Sequence, residues 1–496
     1  MIGAVSDQLV GVVGAGTMGA GIAQVAAAAG HPVLLLDARP GAAAAAHAQI
    51  AAGLSVLVNK GKLDETTRAD LLARITAVEA LADLAGAAIV IEVIVEDLAA
   101  KQGLLRELEA HVAPDAILAS NTSTISVTAI AQGMRHPHGV VGMNFFNPVP
   151  QMKLVEVVSG AETSSAVATS IVELARRWGK TPVHAKSTPG FIVNRIARPY
   201  YAEALQLLLE QAGTPAQLDE CARGAGFRMG PCELMDLIGH DINYAVTSSV
   251  FNATYGDRRF QPSLVQKALV DGGRLGRKAG KGFYEGAAGE SDVIEASPAG
   301  EVEVHGDSPM AQRLAQMLDA RSIRFHRVAG SVWNGLLIDG LPMHLTDGRS
   351  AGQIAGKAAL GVIDWPLSAN AAALAVAFAP GADADAQARV AAALAACGWQ
   401  VRVLRDIPGL LVARTVAMLI NEAADAVWQG VCDETSVDQA MRLGTNYPMG
   451  PFEWLAQIGV DATVGMLDNL DAAYRGERYR VSPLLRQRYW IERSTA

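Results

Sequence analysis

The sequence predicts a parallel, doubly wound α/β sheet followed by an all-α domain, and after these a degenerate α/β segment and a second all-α domain. Up to residue 187, short apolar runs alternate with alanine-rich helical patterns, which is typical of a parallel sheet covered by helices. Beyond residue 187 helical periodicity dominates, and two of its motifs recur about 220 residues later. We therefore predict an internal duplication.

Length, charge and cysteine usage limit the class of protein. A chain of 496 residues is too long for one hydrophobic core. Its 41 basic and 50 acidic side chains argue against a nucleic-acid-binding surface. The cysteines, which show no CxxC or Cys/His metal spacing, are Cys221, Cys232, Cys397 and Cys432. No apolar run approaches the ~20 residues that span a bilayer. We expect a cytoplasmic protein without a metal, nucleic-acid or membrane partner.

A glycine turn between a strand and a helix predicts a dinucleotide site. Residues 9–13 have strand character, and the motif Gly-Ala-Gly-Thr-Met-Gly of residues 14–19 follows directly before a helical pattern. The first glycine permits the turn, the second lets the backbone approach the pyrophosphate, and the third allows close helix packing. The helix N-terminus offers N–H groups to the phosphates. The expected contacts in this Rossmann-type turn are Gly14, Gly16, Thr17, Met18 and Gly19.

An acid at the end of the second strand identifies the cofactor. The apolar run 33–36, which is the first strand candidate after the glycine turn and its helix, ends on Asp37. Its carboxylate can accept hydrogen bonds from ribose hydroxyls and would repel a 2′-phosphate, so NAD is favoured over NADP. Arg39 keeps NADP open as the alternative. Further strands are predicted at 88–95, 116–119 and 140–144.

The duplication appears at three places in the same order. Residues 189–195 (Pro-Gly-Phe-Ile-Val-Asn-Arg) are echoed by 408–414, and residues 229–233 (Met-Gly-Pro-Cys-Glu) by 449–453. Pro262 is echoed in the same way by Pro483. The polar stretch 286–308 reads as a linker. The predicted domains are residues 1–187, 188–290, 291–404 (linker and degenerate α/β segment) and 405–496.

Three further segments resemble the L-3-hydroxyacyl-CoA dehydrogenase family. They are residues 120–123 (Ser-Asn-Thr-Ser), 144–156 (beginning Asn-Phe-Phe-Asn-Pro) and 188–195. The duplicated half is similar to the long members linked to phenylacetate catabolism. The resemblance implies NAD-dependent oxidation of the C3 hydroxyl of an L-3-hydroxyacyl-CoA to a 3-oxoacyl-CoA. The expected substrate is 3-hydroxyadipyl-CoA or a short-chain substrate of β-oxidation.

The resemblance also implies the catalytic positions. Ser123 and Asn194 match the residues that assist at the carbonyl, and Glu156 matches the Glu that orients a catalytic His. In this chain the His position is occupied by Asn144. A neutral amide cannot act as a general base near pH 7. We therefore expect turnover to be ~10²–10⁴-fold lower and binding to be retained. A natural variant and an engineered substitution that traps a complex both fit Asn144.

Binding residues carry over from the same family. For NAD the matching positions are Glu96, Lys101, Ser123, Asn147 and Lys278. For the acyl-CoA they are Ser55, Lys62 and Ser123. Lys60 and Lys62 suit the phosphates of CoA, and a solvated helix end is the alternative interpretation. Candidates for binding a distal acyl carboxylate are Arg195, Arg198 and Arg228.

Three histidines are weaker candidates for the missing base. His136 and His138 precede the strand that carries Asn144, which places them at its opposite end. His240 is expected to be structural. For Glu156, the alternative to a catalytic role is a surface carboxylate on a strand.

The second copy lacks the polar groups of the first. Ala413 stands at the position that matches Asn194, no Glu occurs near residues 374–378, and no glycine turn precedes them. In shorter family members the helical domain pairs with that of another subunit. We expect the second copy to provide that packing surface within one chain. A homodimer, a homotrimer and a monomer with an internal pseudo-dimer all stay open.

Two other functions compete with the dehydrogenase. A non-catalytic protein that binds NAD and acyl-CoA would need no base. A dehydrogenase of another Rossmann family acting on a free hydroxy acid would need a catalytic Lys or an Arg clamp, and neither occurs in a comparable motif. Replacing Asn144 by His separates the first alternative from the dehydrogenase, and a comparison of thioester with free acid separates the second.

Overall fold

The computed structural model describes residues 8–286, 289, 291–298, 300–368 and 372–495. The chain divides into two compact units. The first contains the residues up to Asn194 together with Gly430–Thr445, and the second contains Arg195–Gln429 and the residues from Asn446 onward. The first unit therefore includes a segment of the second helical copy, which the sequence analysis did not anticipate.

Eight strands form the sheet of the first unit. They are β1 (Val10–Val13), β2 (Val33–Leu36), β3 (Ile75–Val78), β4 (Ile89–Glu92), β5 (Ile117–Ser120), β6 (Val140–Phe145), β7 (Leu154–Ser159) and β8 (Thr181–Lys186). Their order is β3-β2-β1-β4-β5-β6-β7-β8. All neighbours are parallel except β6 and β7. The strand order reverses at β1, and sheets of this type bind ligands at the carboxyl ends beside such a switch point.

Six helices lie between the strands of this sheet in the chain. They are α1 (Thr17–Ala28), α2 (Ala42–Asn59), α3 (Glu65–Ala73), α4 (Leu98–Glu109), α5 (Val127–Ile130) and α6 (Ser165–Arg177). Helix α2 is 18 residues long and apolar enough to cross a membrane by length and composition alone. One face of α2, including Ile50 and Leu54, is buried in the core of the first unit, as in a core helix of a folded domain.

The first helical copy follows the sheet without further strands, as predicted. Its helices are α7 (Val193–Ile196), α8 (Arg198–Leu209), α9 (Pro215–Gly224), α10 (Pro231–Ile238), α11 (His240–Ala253) and α12 (Leu264–Asp271). Helix α9 begins at a capping box, in which Thr214 and Gln217 satisfy each other's backbone N–H groups.

The degenerate α/β segment forms a second, mixed sheet. Its elements are β9 (Val302–His305), α13 (Pro309–Ala320), β10 (His326–Val328), β11 (Gly335–Ile338), β12 (Leu341–Leu345), α14 (Ala351–Ala355), β13 (Gly361–Ile363), β14 (Ala373–Phe378), α15 (Ala384–Ala396) and β15 (Gln400–Val403). The strand order is β10-β9-β11-β12-β13-β14-β15. Strand β9 lies in the stretch predicted as a linker, so that prediction is wrong at these residues. Val302 and Val304 alternate with polar residues and are buried, which gives the short stretch a core-facing side.

The second helical copy repeats the backbone of the first. Its helices are α16 (Val412–Trp428), α17 (Glu434–Gly444), α18 (Pro451–Ile458), α19 (Val460–Tyr474) and α20 (Pro483–Thr495). Gly190 and Gly409 share a φ of 77°, and the residues after them, Phe191 and Leu410, have φ of 47° and 49°. Because left-handed backbone is costly for side chains of this kind, its recurrence at matching positions confirms the predicted duplication.

In the second unit the two helical copies meet through reciprocal ion pairs. Arg195 Nε lies 2.6 Å from Glu422 Oε1, and Arg414 Nε lies 2.5 Å from Glu203 Oε2. The two arginines are counterparts in the duplication, and so are the two glutamates, because both pairs share the offset of the repeated motifs. A contact in which each partner's counterpart makes the same bond in return is the signature of a twofold interface.

Two further arginines complete this arrangement. Arg259 lies 3.2 Å from Glu422, and its counterpart Arg478 lies 2.8 Å from Glu203. Burial acts to raise the pKa of Glu203, but Arg478 and Arg414 outweigh it and hold that pKa below its usual value. Both glutamates are buried, and each receives arginines from the opposite copy.

Candidate active site

The glycine turn has the geometry that a phosphate-binding loop needs. Gly14 has a φ of 109°, and a side chain there would collide with the carbonyl of Val93. A Cβ on Gly19 would overlap the carbonyl oxygen of Gly14. At Gly16 a Cβ would meet nothing within 4 Å, and helix α1 starts there without a side-chain cap. The N–H groups of its first turn are therefore open to a phosphate, which is the fit that a dinucleotide requires.

Asp37 is fixed beside this turn. Its Oδ2 accepts a hydrogen bond from Ala15 N at 2.8 Å. Its Oδ1 accepts from Arg39 N and Nε at 2.9 and 3.0 Å. Hydrogen bonding to Arg39 is the main reason that the pKa of Asp37 falls to about 2. Arg39 is thus engaged by the carboxylate, and the site matches an unphosphorylated ribose.

Asn144 and Glu156 face each other on the antiparallel strands β6 and β7. They are register partners, and Asn144 Nδ2 donates a 2.7 Å hydrogen bond to Glu156 Oε2. Both side chains are buried, so the alternative of a surface carboxylate at Glu156 is wrong. Burial raises the pKa of Glu156, against the lowering effects of Val193 N–H and the Asn144 amide.

Backbone groups join Glu156 to the loop that carries Asn194. Glu156 Oε1 accepts hydrogen bonds from Ile192 N at 3.0 Å and Val193 N at 2.9 Å. The next side chain, Asn194, places its Nδ2 3.5 Å from the carbonyl oxygen of Ser123. The structure therefore brings Ser123, Asn144, Glu156 and Asn194 together, although they come from four separate segments of the chain.

Glu96 and Lys101 form a second polar cluster next to Ser123. Glu96 Oε1 accepts from Thr122 Oγ1 at 2.8 Å and from Ser123 N at 3.0 Å. Lys101 Nζ lies 3.3 Å from Glu96 and 2.8 Å from Glu92, and it is 1% exposed. Lys101 is thus a buried cation between two carboxylates. The predicted set did not include Glu92, whose position at the end of β4 resembles that of any buried strand residue.

The loop after Asn144 is held by hydrogen bonds from Lys180, a residue that no sequence motif marks. Asn147 is exposed in this loop, and Val149 packs against Gly21 of helix α1. Lys180 Nζ donates to the carbonyl oxygens of Val149, at 2.5 Å, and Met152, at 2.8 Å. Burial, with the charge of Lys153 adding to it, lowers the pKa of Lys180 to about 8.

The remaining predicted binding residues make local contacts within their own units. In the first unit, Lys60 and Lys62 are exposed at the C-terminal end of α2, and Ser55 Oγ donates to the carbonyl of Ala51 at 2.9 Å. In the second unit, Lys278 Nζ lies 2.6 Å from Asp241 Oδ1 and is half exposed.

The histidines lie where the sequence predicts. His136 and His138 flank the start of β6, at the end opposite to Asn144. His240 is buried and lies 2.7 Å from Asp236. No group of three or more His, Cys, Asp or Glu side chains within the described ranges is arranged to hold a metal ion.

The three candidate arginines differ in their surroundings within the second unit. Arg195 is held by Glu422 and by Gln429. Arg228 is exposed. Arg198 is buried, lies 4.9 Å from the centre of the Tyr201 ring and donates to Thr247 Oγ1 at 3.1 Å. It lines a cavity of about 110 Å³ whose other polar walls include Gln206, Ser263 and Gln266.

Fold and site together define an NAD-dependent dehydrogenase. The NAD-binding domain of 3-hydroxyacyl-CoA dehydrogenase matches residues 9–188, and the C-terminal domain of the same enzymes matches twice, at 190–286 and 409–494. The reduced Rossmann-fold domain of 3-hydroxybutyryl-CoA dehydrogenase matches residues 343–408. The chain belongs to the 3-hydroxyacyl-CoA dehydrogenase family of NAD-dependent oxidoreductases.

Similar proteins include both long and short forms. The 3-hydroxyadipyl-CoA dehydrogenase of Escherichia coli K12 is 44% identical over 98% of both chains. A crystal structure of 3-hydroxybutyryl-CoA dehydrogenase from Escherichia coli K12 has a TM-score of 0.90 and 43% identity over 99% of both chains. The 3-hydroxybutyryl-CoA dehydrogenase of Clostridioides difficile is 38% identical over 55% of this chain and 98% of its own. This short form thus matches about half of the present chain.

Proposed function

We propose that the protein oxidises the C3 hydroxyl of an L-3-hydroxyacyl-CoA at the site formed by Ser123, Asn144, Glu156 and Asn194. The observation that carries this proposal is the buried hydrogen bond from Asn144 to Glu156, next to Asn194 and in the same unit as the glycine turn. Bound NAD supplies the hydride acceptor. Glycines 14, 16 and 19, with Asp37, would hold it, and Glu96 and Asn147 are the proposed contacts near its reactive end.

The four side chains would act on the substrate oxygen. Glu156 takes the amide N–H of Asn144, which leaves the Asn144 oxygen as an acceptor for the substrate hydroxyl. Ser123 and Asn194 would donate to the oxygen as it becomes a carbonyl, and such donors stabilise developing negative charge. The hydroxyl proton would be released to water, because the amide oxygen of Asn144 is not a base near pH 7. Slow turnover is therefore expected.

The test is the substitution Asn144→His in the full chain. An imidazole can donate one N–H to Glu156 and accept the hydroxyl proton at its other nitrogen, so kcat for NAD⁺ reduction should rise by about 10²–10⁴-fold. His138→Gln is the control and should change nothing. If Asn144→His and the native chain both bind NAD⁺ and acyl-CoA without turnover, the protein is a binding protein, which is the second candidate that Asn144 favours.

For the substrate we propose 3-hydroxyadipyl-CoA, whose acyl chain ends in a carboxylate. The support is the 44% identity over 98% of the chain to a relative of that name. The test is kcat/KM of the full chain for 3-hydroxyadipyl-CoA, measured beside that for 3-hydroxybutyryl-CoA, and the adipyl thioester should give the higher value. A higher value for 3-hydroxybutyryl-CoA would contradict this assignment.

We also propose that the chain is a cytoplasmic monomer with an internal pseudo-dimer. The reciprocal pairs Arg195–Glu422 and Arg414–Glu203 support it, because they provide both halves of a twofold interface within one chain. The four cysteines are all thiols, which suits a reducing compartment. Light scattering of the full chain should give the mass of one copy, and a concentration-dependent dimer would contradict the proposal.

A further inference from the structure

Helix α17 belongs to the second helical copy in sequence but to the first unit in space. It packs on strands β7 and β8, and its inner residues Val437, Ala440 and Met441 are fully buried. Just before it, the carbonyl oxygen of Val431 accepts a 2.9 Å hydrogen bond from Lys186 N at the end of β8. The edge of the NAD-binding sheet is therefore covered by a segment that is distant in the chain.

The second unit contains the matching contact. There Arg405 N donates to the carbonyl oxygen of Ala212 at 2.8 Å, and helix α9 packs on β14. Arg405 is the counterpart of Lys186 in the duplication, and Ala212 is the counterpart of Val431. The helix of each copy thus covers the sheet of the other copy. Because the contact occurs twice, it is a property of the fold and not an accident of one loop.

Helix α17 contacts neighbours of the active site at Gly444. A Cβ placed on this residue would lie 2.7 Å from Leu154 Cδ2 and 3.1 Å from Val193 Cγ2. Leu154 begins β7 two residues before Glu156, and Val193 donates its N–H to Glu156 and precedes Asn194. One glycine is therefore in contact with the neighbours of two proposed catalytic side chains.

We propose that α17, through Gly444, is a positioning element of the active site. By fixing Leu154 and Val193 it fixes the Glu156 carboxylate and the Asn194 amide. The duplicated half then has a function beyond packing, since it completes the support of a site that lies entirely in the other copy's sequence. This inference rests on the proposed function for the catalytic roles of Glu156 and Asn194. The contacts of Gly444 with Leu154 and Val193 are independent of that function.

The test is Gly444→Ala in the full chain, with Gly465→Ala as the matched control. Gly465 lies in helix α19 and a Cβ there meets nothing within 4 Å. Hydrogen exchange is measured in the native chain, and kinetics in the Asn144→His background. For Gly444→Ala we expect faster exchange of the amides of residues 192–193, by about 10-fold, with unchanged exchange in β1. We also expect kcat to fall about 10-fold at constant KM for NAD⁺.

Rescue distinguishes positioning from general damage. Leu154→Val shortens the side chain that the new methyl group meets, so Gly444→Ala with Leu154→Val should recover slow exchange at residues 192–193. Unchanged exchange there in Gly444→Ala, or an equal rise in β1, would overturn the proposal. If no variant reduces NAD⁺, the proposed function fails, and the exchange measurement still decides the role of α17.

Discussion

Each of the two copies has a buried carboxylate that accepts hydrogen bonds from the same turn, but the two carboxylates differ in their other partners. In the first copy Glu156, on β7, accepts the N–H groups of Ile192 and Val193. In the second copy Asp364, just after β13, accepts those of Leu411 and Val412, which are the counterparts of the same two residues in the duplication. The same turn is thus bound by an acid in both copies. In the first copy the acid lies on β7, and in the second it follows β13, the strand that pairs with the counterpart of β7.

The difference is what else each acid binds. Glu156 uses its second oxygen for the side chain of Asn144. Asp364 uses both oxygens for backbone N–H groups, including those of Trp365 and Ala413, and the residue across the ladder is Ala375. A carboxylate that serves only backbone groups cannot orient a catalytic side chain. The second copy therefore keeps the structural half of the arrangement and has lost the chemical half.

The helices that follow the first strand of each sheet, α1 and α13, differ in how their N-termini are capped. Helix α1 starts at Gly16 with no side-chain cap, so its first N–H groups are open to a ligand. Helix α13 starts at Ser308, whose side chain accepts from Ala311 N. A capped N-terminus has fewer N–H groups for a phosphate. Helix α13 therefore lacks the uncapped start that helix α1 offers to a phosphate.

The reciprocal ion pairs predict the largest effect, and one that is equal in both copies. Glu203→Gln and Glu422→Gln should each lower the free energy of unfolding by about 3–5 kcal/mol, because each leaves one buried arginine, Arg414 or Arg195, without its nearest carboxylate. Urea denaturation measures this. Glu233→Gln, which breaks half-exposed pairs with Arg223 and Arg277, should cost less than about 1 kcal/mol. A large difference between the two variants would show that the two buried ion pairs contribute unequally to the free energy of unfolding.

The two carboxylates should separate by their effect on turnover. In the Asn144→His background, Glu156→Gln should lower kcat by about 10² or more, because the imidazole loses the anion that orients it. Asp364→Ala should leave kcat per folded molecule unchanged. Steady-state NADH formation with a 3-hydroxyacyl-CoA checks both. Equal losses at the two sites would break the assignment of chemistry to the first copy.

Asp364→Ala should instead reduce stability. Removing the carboxylate leaves the buried N–H groups of Leu411, Val412 and Ala413 without their acceptor, so the free energy of unfolding should fall by about 1–3 kcal/mol. Denaturant midpoints measure this. Asp406→Ala, which removes the acceptor for two N–H groups at the start of α14, serves as a comparison elsewhere in the same copy. A neutral effect of Asp364→Ala would mean that the turn is held by packing alone.

The smallest predicted effect concerns Lys180, which has no charged counterpart in the second copy. Folding lowers the pKa of Lys180 from its usual 10.5 to about 8, so between these values the unfolded chain binds more protons. The stability contribution of Lys180 should therefore increase as pH rises from 8 to 10, by on the order of 1 kcal/mol. Unfolding of Lys180→Met at the two pH values provides the reference, and an identical pH slope would contradict the shift.

Local sequence signals predicted most of the fold. Strand β2 was predicted at its observed bounds, and the predicted run at residues 9–13 contains β1, because apolar runs before a glycine turn and before an acid are strong signals. Strands β3 and β8 were missed, since Ile75–Val78 and Thr181–Lys186 mix exposed and buried positions without a continuous apolar run. Strand β9 was hidden in a stretch rich in Gly and Pro. Short edge elements are stabilised by neighbours that the sequence does not identify.

The candidate site was predicted residue by residue, but not its supports. Ser123, Asn144, Glu156 and Asn194 stand out in motifs, whereas Asp364, Lys180 and Gly444 occur in segments with no motif. The offset of the duplication places the counterpart of Glu156 at Ala375, on β14. The acid of the second copy, Asp364, instead follows the neighbouring strand β13. A carboxylate that is absent at Ala375 and present at Asp364 on the neighbouring strand leaves no sequence motif in either segment.

The sequence by itself determined the fold class, the cofactor turn, the duplication and the set of polar groups, because each is visible in short local motifs. Only the tertiary structure decided how the copies exchange support. The pairing of Glu203 with Arg414, and the placement of Gly444 beside Leu154, join residues that are far apart in the chain. Such contacts depend on how the elements pack, and packing is a property of the folded chain as a whole.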